Sequence, residues 1–343
     1  RRVIALGPDG LRGAYMLSRV LGAQGEYQAM VDALEPAVRG ALERNVAASQ
    51  IVSLLQRLSV AHEQLGDHDA AIDTLTRALD LTPSHLGLQA QLAQVFIDAG
   101  RLDEAADVVR RAQRESPGNL AFQRLEAETL SARGDVADAL AVLERALSQH
   151  EEQPVAHFAL ANMYSQHDRV DDAVRVLKAA EVRFPDNTAV VFQLGAVFER
   201  GQRFSEAEGA FRRALERDPD DAATLNYLGY MLAERGERLD ESVDLIQRAL
   251  KQEPNNGSYL DSLGWAYLKQ NRLELAEPPL RQAGEQLRRN SVVQDHLGDL
   301  LFRLERYAEA TSAWERALAG DQDGVDLSVI EDKLRDARDR LSR

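Results

Sequence analysis

"TAVVFQLGAVFERGQRFSEAEGAFRRALERDPDD", residues 188–221, is the stretch on which the fold turns. Counted from Thr188, positions 4, 7, 8 and 11 are Val191, Leu194, Gly195 and Phe198. That is the i, i+3, i+4, i+7 spacing of one helix face. Positions 20, 24 and 27 are Ala207, Phe211 and Ala214, a facing stripe on a second helix. Small residues at positions 8, 20 and 27 let the two backbones approach closely. A leucine at Gly195 or Ala207 is therefore expected to overpack the contact by about 1–3 kcal/mol. Pro219 is placed to stop the second helix, because the residue before a proline is pushed out of the helical region.

The stretch has copies on both sides. Pro83, Pro117, Pro185 and Pro219 are separated by 34, 68 and 34 residues. Ala71, Ala105, Ala139, Ala173 and Ala207 keep the 34-residue step, as do Ala78, Ala112, Ala146, Ala180 and Ala214. Repeats starting at 52, 86, 120, 154 and 188 follow without a gap, one extra residue in "ERGERLDES" lengthens 222–256 to 35, and starts at 257 and 291 resume the period. Gly66, Gly100, Gly134 and Gly236 fall where the first helices should end, glycine being the residue that accepts a left-handed cap. One such unit cannot bury its own apolar face, so stability has to come from stacked neighbours.

In this pattern the sequence resembles the tetratricopeptide repeat, a helix–turn–helix unit. Leu194-Gly195, Phe198, Phe204, Ala207, Phe211, Ala214 and Pro219 carry the resemblance, which extends over residues 11–324. Departures are local: Gln202 and Asp168 stand in for a turn glycine, and Glu151 and Arg288 for the terminal proline. The resemblance implies an all-α fold, a helix–turn–helix solenoid wound as a right-handed superhelix, with a C-terminal capping helix. The expected divisions are a tail of a preceding repeat at 1–10, with Pro8 at its terminal position, and a divergent repeat at 11–51. Three repeats follow over 52–153, two over 154–221, the lengthened one at 222–256, two over 257–324, and a cap at 325–343. On that cap Leu327, Ile330, Leu334 and Ala337 share one face. Pro36 is expected to kink or split the second helix of 11–51, while Pro278-Pro279 fall in the first turns of theirs, where the harm is smaller. A start inside a repeat implies an array that continues upstream, and "RRVIALGPDG" does not read as a signal peptide.

Chemistry-bearing patterns are sparse. The formal charge of −15 over 343 residues argues against a nucleic-acid partner, since phosphate contacts need a basic surface. With no cysteine there is neither a disulfide framework nor a thiolate site. No stretch approaches the roughly 20 apolar residues of a membrane span. His62 and His68 flank a turn without a third ligand at suitable spacing. "GDQDGVD" (320–326) fails as a calcium loop, because aligning Gly324 puts Ala319 and Ile330 at ligand positions one and twelve. No nucleophile elbow or phosphate loop is present. No catalytic, metal or cofactor-binding residue is assigned, and a non-enzyme without cofactor is expected.

What remains is a surface. In tetratricopeptide arrays the first helices line the concave face, and positions 2, 5, 9 and 12 point into it. From repeat 154 onward, position 5 gives Phe158, Phe192, Asn226, Asp261 and Asp295, and position 9 gives Asn162, Ala196, Tyr230, Trp265 and Asp299. The expected partner-binding groove is Phe158, Asn162, Phe192, Asn226, Tyr230, Asp261, Trp265, Asp295 and Asp299. Asparagine suits an extended peptide because it offers both a donor and an acceptor. A second reading stands beside this one: Trp265 packs against the neighbouring repeat and the aspartates form a solvated face. Trp314 at position 24, and Tyr27 and Tyr307 at position 17, read as packing. Leu263, Gly264 and Tyr267 read as scaffold. The clamp by which some tetratricopeptide co-chaperones hold a carboxylate is not matched, since Phe158 replaces its lysine, and Ala223 and Tyr227 stand where Lys and Arg are needed.

Residues 222–324 carry a narrower resemblance, through the extra residue in "GERLDES" and the run Asp261-Ser262-Leu263-Gly264-Trp265. It is to the carboxyl-terminal segment of bacterial envelope tetratricopeptide proteins, among them lipoprotein adaptors that bring a carboxyl-terminal processing protease to its substrates. The expected function is a non-catalytic scaffold or adaptor that binds extended segments of protein or peptide partners. The implied location is the periplasm or cell envelope if the narrower resemblance holds, and the cytoplasm otherwise. Two alternatives are a recognition arm for a catalytic domain outside this chain, and a self-assembling scaffold that pairs through 11–51.

Overall fold

Short polar side chains set where the first helix of five pairs begins. Asn119, Asn187, Asp221, Asn256 and Asn290 each accept a backbone N–H from the first turn that follows, which satisfies donors that the helix itself leaves orphaned. These caps stand two residues after prolines 117, 185, 219, 254 and, at the fifth, after Arg288. Second helices end two residues before Pro83, Pro117, Pro185 and Pro219 as expected, and at the same register before Glu151 and Arg288.

The computed structural model describes residues 7–322 and 324–342. Among them there is no strand, and the chain forms two compact units, Arg1–Val176 and Leu177–Arg343. In the first unit α1 (Gly7–Ala23) pairs with α2 (Tyr27–Glu43), α3 (Ala48–Leu65) with α4 (His68–Leu81), α5 (Leu86–Asp98) with α6 (Leu102–Glu115), and α7 (Leu120–Arg133) with α8 (Val136–Gln149). There α9 (Pro154–Gln166) packs on α8, and α10 (Val170–Arg183) contains the boundary. In the second unit α11 (Thr188–Arg200) pairs with α12 (Phe204–Arg217), α13 (Ala222–Glu234) with α14 (Leu239–Gln252), α15 (Gly257–Lys269) with α16 (Leu273–Gln286), and α17 (Ser291–Arg303) with α18 (Tyr307–Leu318). The last helix, α19 (Leu327–Leu341), packs on α18. Within each unit the hairpins stack in chain order, as in a helix–turn–helix solenoid.

The ten periodic alanines are all buried. In the second unit the position-8 residue is glycine, and each glycine receives a large side chain from its partner helix: Phe211 on Gly195, Ile246 on Gly229, Leu280 on Gly264 and Trp314 on Gly298. A Cβ on Gly195 would lie 2.6 Å from the Phe211 ring. Trp314 is therefore core, as its position implied. On α19, Ile330, Leu334 and Ala337 enter the same apolar cluster as Trp314 and Leu301, and Leu327 is half-buried.

Two expectations need correction or limits. Pro36 does not split its helix, since α2 runs unbroken from Tyr27 to Glu43. Met30, Leu34, Ala37, Val38 and Ala41 are buried around it, and that packing offsets the ~3 kcal/mol disadvantage of an interior proline. Likewise α16 continues through Pro278 and Pro279. Pro8 falls in the first turn of α1, and residues 1–6 of the expected tail lie outside the described residues. The extra residue of "GERLDES" sits in the turn before α14, where Arg238 adopts φ 45° and reaches both Glu208 carboxylate oxygens at 2.8 and 2.6 Å. Arg238, aided by Arg212, holds the Glu208 carboxyl down at about 2.

Candidate functional site

First helices α13, α15 and α17 pack side by side, so residues at positions 5 and 9 share one face of the second unit. At its amino-terminal end Phe192 is half-buried and meets Tyr227 edge-on, with ring centroids 5.0 Å apart and an interplanar angle of 86°. Phe211 stands behind them, 5.8 Å from Phe192, so this part of the face is an extension of the core.

Asn226 comes next. Its residue is buried, and its side-chain Oδ1 has no hydrogen-bond partner. It lines a cavity of ≈ 480 Å³ together with Tyr230 and Asp261, and with Ala223, Ser258 and Val292 from position 2 of three successive repeats. Glu199, at position 12 of the preceding repeat, and the aromatic rings of Tyr227 and Tyr259 complete the walls. Burial, then the negative charges of Glu234 and Asp261, push the Tyr230 hydroxyl pKa up. Burial also raises Glu199, with Glu234 adding to it against Arg200.

Beyond the cavity the carboxylates are engaged within the chain. Asp261 accepts from His296 Nδ1 at 3.0 and 3.1 Å, and both side chains are buried. Burial disfavours the charged imidazole, but the adjoining Asp261 carboxylate outweighs it and the His296 pKa is raised. Trp265 stacks on that imidazole, with centroids 3.9 Å apart and planes at 14°. Its Nε1 donates to Glu234 at 2.9 Å and the Lys269 ammonium lies 4.6 Å from its ring. Farther along, Asp295 accepts from Trp314 Nε1 at 2.8 Å, and Lys333 of α19 bonds Asp295 at 2.8 Å and Asp299 at 3.0 Å. Burial, then Asp295, raises the Asp299 pKa against Lys333.

The structure thus brings Asn226, Tyr230 and Asp261 to one cavity, sets Phe192 beside it, and places Trp265, Asp295 and Asp299 in contacts with α17 and α19. Phe158, half-buried, and Asn162, exposed, lie on α9 in the first unit and do not line that cavity. A cavity of ≈ 510 Å³ in the first unit is walled by α4, α5 and α6 and contains none of the expected residues. Leu263 and Tyr267 are partly buried against apolar clusters and Gly264 is buried, as scaffold residues should be. The wall residues not singled out from sequence sit at positions 2, 3, 6, 10 and 12 and at the caps Asn256 and Asn290, and of these the repeat pattern already pointed positions 2 and 12 inward. Among the described residues no group of three or more His, Cys, Asp or Glu could hold a metal ion, and no helix is long and apolar enough to cross a membrane.

Comparison with known proteins places this geometry. One family model described as tetratricopeptide repeat matches residues 63–128 and 130–196, and a second of the same description matches 15–85, 192–257 and 232–286. The fold is similar to a solved tetratricopeptide repeat protein from Parabacteroides merdae at 17% identity and TM-score 0.54, over 74% of this chain and 98% of that one. It is also similar to a chain of the APC/C hetero-tetramer Cut9–Hcn1 at 13% identity and TM-score 0.54, over 96% of this chain and 76% of that one. No curated protein matches the chain. At these identities the two solved structures speak for the fold alone.

Proposed function

Because the chain belongs to the tetratricopeptide-repeat family, whose fold generally serves as a non-catalytic protein-interaction scaffold, we propose that its second unit holds an extended segment of a partner protein on the first-helix face. The observation that carries this is the Asn226 carbonyl, buried beside a ≈ 480 Å³ cavity without a donor. An unmet buried acceptor costs about 1–3 kcal/mol, and a partner's N–H recovers that cost only when bound. Tyr227, Tyr230 and Tyr259 supply rigid aromatic area around it, the kind of surface that dominates protein interfaces.

Asn226 and Tyr230 contact the partner directly, Phe192 flanks them, and Asp261, Trp265, Asp295 and Asp299 shape the wall toward α19. Phe158 and Asn162 offer a separate contact on the first unit. The finer reading is an adaptor that brings a cell-envelope protease or an assembly partner to its target, and the resemblance of residues 222–324 to envelope adaptors supports it. Affinity capture from a solubilised bacterial envelope extract tests the proposal. Wild type should retain a protein that Asn226→Leu loses, although the variant should melt no lower than wild type because leucine removes the unmet acceptor. Equal capture by both would move the binding surface elsewhere.

A further inference from the structure

Position 5 holds Asn226, Asp261 and Asp295 in three successive repeats, and the partners of the two aspartates identify what Asn226 lacks. Asp261 receives a donor from position 6 of the following first helix, His296. Asp295 receives one from the cap helix, Lys333 of α19. At Asn226 the corresponding position-6 residue is Ser262, whose hydroxyl donates back to the Ser258 carbonyl at 3.0 Å within its own helix. The chain thus supplies a basic side chain to each of the later two sites and nothing to the first, whose acceptor stays orphaned.

We propose that the cavity beside Asn226 takes the basic side chain, lysine or arginine, of an extended partner segment, in the role that His296 of the next repeat plays for Asp261 and Lys333 of the cap helix plays for Asp295. This rests on the groove reading above and names what that groove selects. The charge around the cavity fits. Glu199 and Asp261 line it and no lysine or arginine does. Asp261 is offset by His296, and Glu234 lies 3.7 Å from Lys269. Glu199 makes no ion pair among the described residues, so it is the carboxylate left for an incoming cation. Tyr230, Tyr259, Met231 and Val293 give the aliphatic stem of a long basic side chain an apolar wall while its charged head reaches Asn226 Oδ1 and Glu199. An acidic segment would meet Glu199 and be rejected.

The test is panning of a phage-displayed random peptide library on the full chain, with counter-selection on Asn226→Leu. Recovered sequences should share a lysine or arginine at one aligned position. Replacing it with norleucine in a synthetic peptide should weaken binding about tenfold or more, the size of one hydrogen bond to a charged group. Glu199→Gln should weaken the same peptide, with folding checked by circular dichroism for both variants. Peptides that lack a basic residue yet are lost on Asn226→Leu would overturn the cation and leave the groove standing. Recovery of no binder, or of binders that Asn226→Leu keeps, would overturn both.

Discussion

Gly195 and Gly209 are both helical glycines of one repeat, and they should respond to a methyl group in opposite directions. A Cβ on Gly195 runs into the Phe211 ring, whereas one on Gly209 meets nothing within 4 Å. Helix propensity favours alanine by about 1 kcal/mol at either position. Gly209→Ala should therefore stabilise by up to ~1 kcal/mol, and Gly195→Ala should destabilise by about 1–3 kcal/mol in urea unfolding, overpacking outweighing propensity. A second residue-scale prediction concerns pH. The His296 pKa is raised above 6.5, so its pairing with Asp261 stabilises fully below that value and is lost as pH rises through the folded-state pKa. Melting temperature should fall over that rise in wild type, and Asp261→Asn should flatten the dependence. Trp265 was open between partner contact and packing in the sequence, and the structure stacks it on His296. That stacking could not be read from spacing, because it depends on which residue of the following first helix faces it.

At the scale of the element, a left-handed residue recurs at the turn between paired helices whether or not glycine supplies it. Gly66, Gly100 and Gly134 have positive φ, and so do Asp168, Gln202, Asn271 and Glu305 in later turns. Side chains raise the energy of that conformation by roughly 1–2 kcal/mol, partly offset by the greater freedom of glycine in the unfolded chain. Gln202→Gly and Glu305→Gly should thus each stabilise by about 0.5–1 kcal/mol, readable as a higher urea midpoint. The cap helix carries its own prediction. Lys333→Met leaves Asp295 and Asp299 facing each other half-shielded, and should cost about 1–2 kcal/mol once solvent screening is allowed for, with exchange of the α19 amides rising first. Turn placement in the regular repeats was readable because apolar period, glycine and proline agree. The continuity of α2 through Pro36 was not, since it rests on how many of its neighbours are buried.

On the scale of the whole chain, stability in stacked repeats is a sum of nearest-neighbour terms. Gly298→Leu, which forces a side chain into Trp314, should accelerate hydrogen exchange in α17, α18 and α19 while α3 to α8 keep their protection. Global loss of protection would contradict that locality. The face proposed to bind was half readable from sequence: positions 5 and 9 pointed to it, and the asparagine at 226 was among them. Which of its acceptors stay unpaired depended on His296 and Lys333, residues whose neighbours are known only once the first helices are stacked. The central claim, that a partner lies against Asn226, is tested most directly by site-specific photo-crosslinking in envelope extract. A photoreactive phenylalanine analogue at Tyr227, on the cavity wall, is compared with one at Val182, which is 84% exposed and does not line the cavity. The account predicts one discrete crosslinked partner from position 227 that Asn226→Leu abolishes, and none from 182. Equal crosslinks from both positions, or a crosslink from 227 that survives Asn226→Leu, would contradict it.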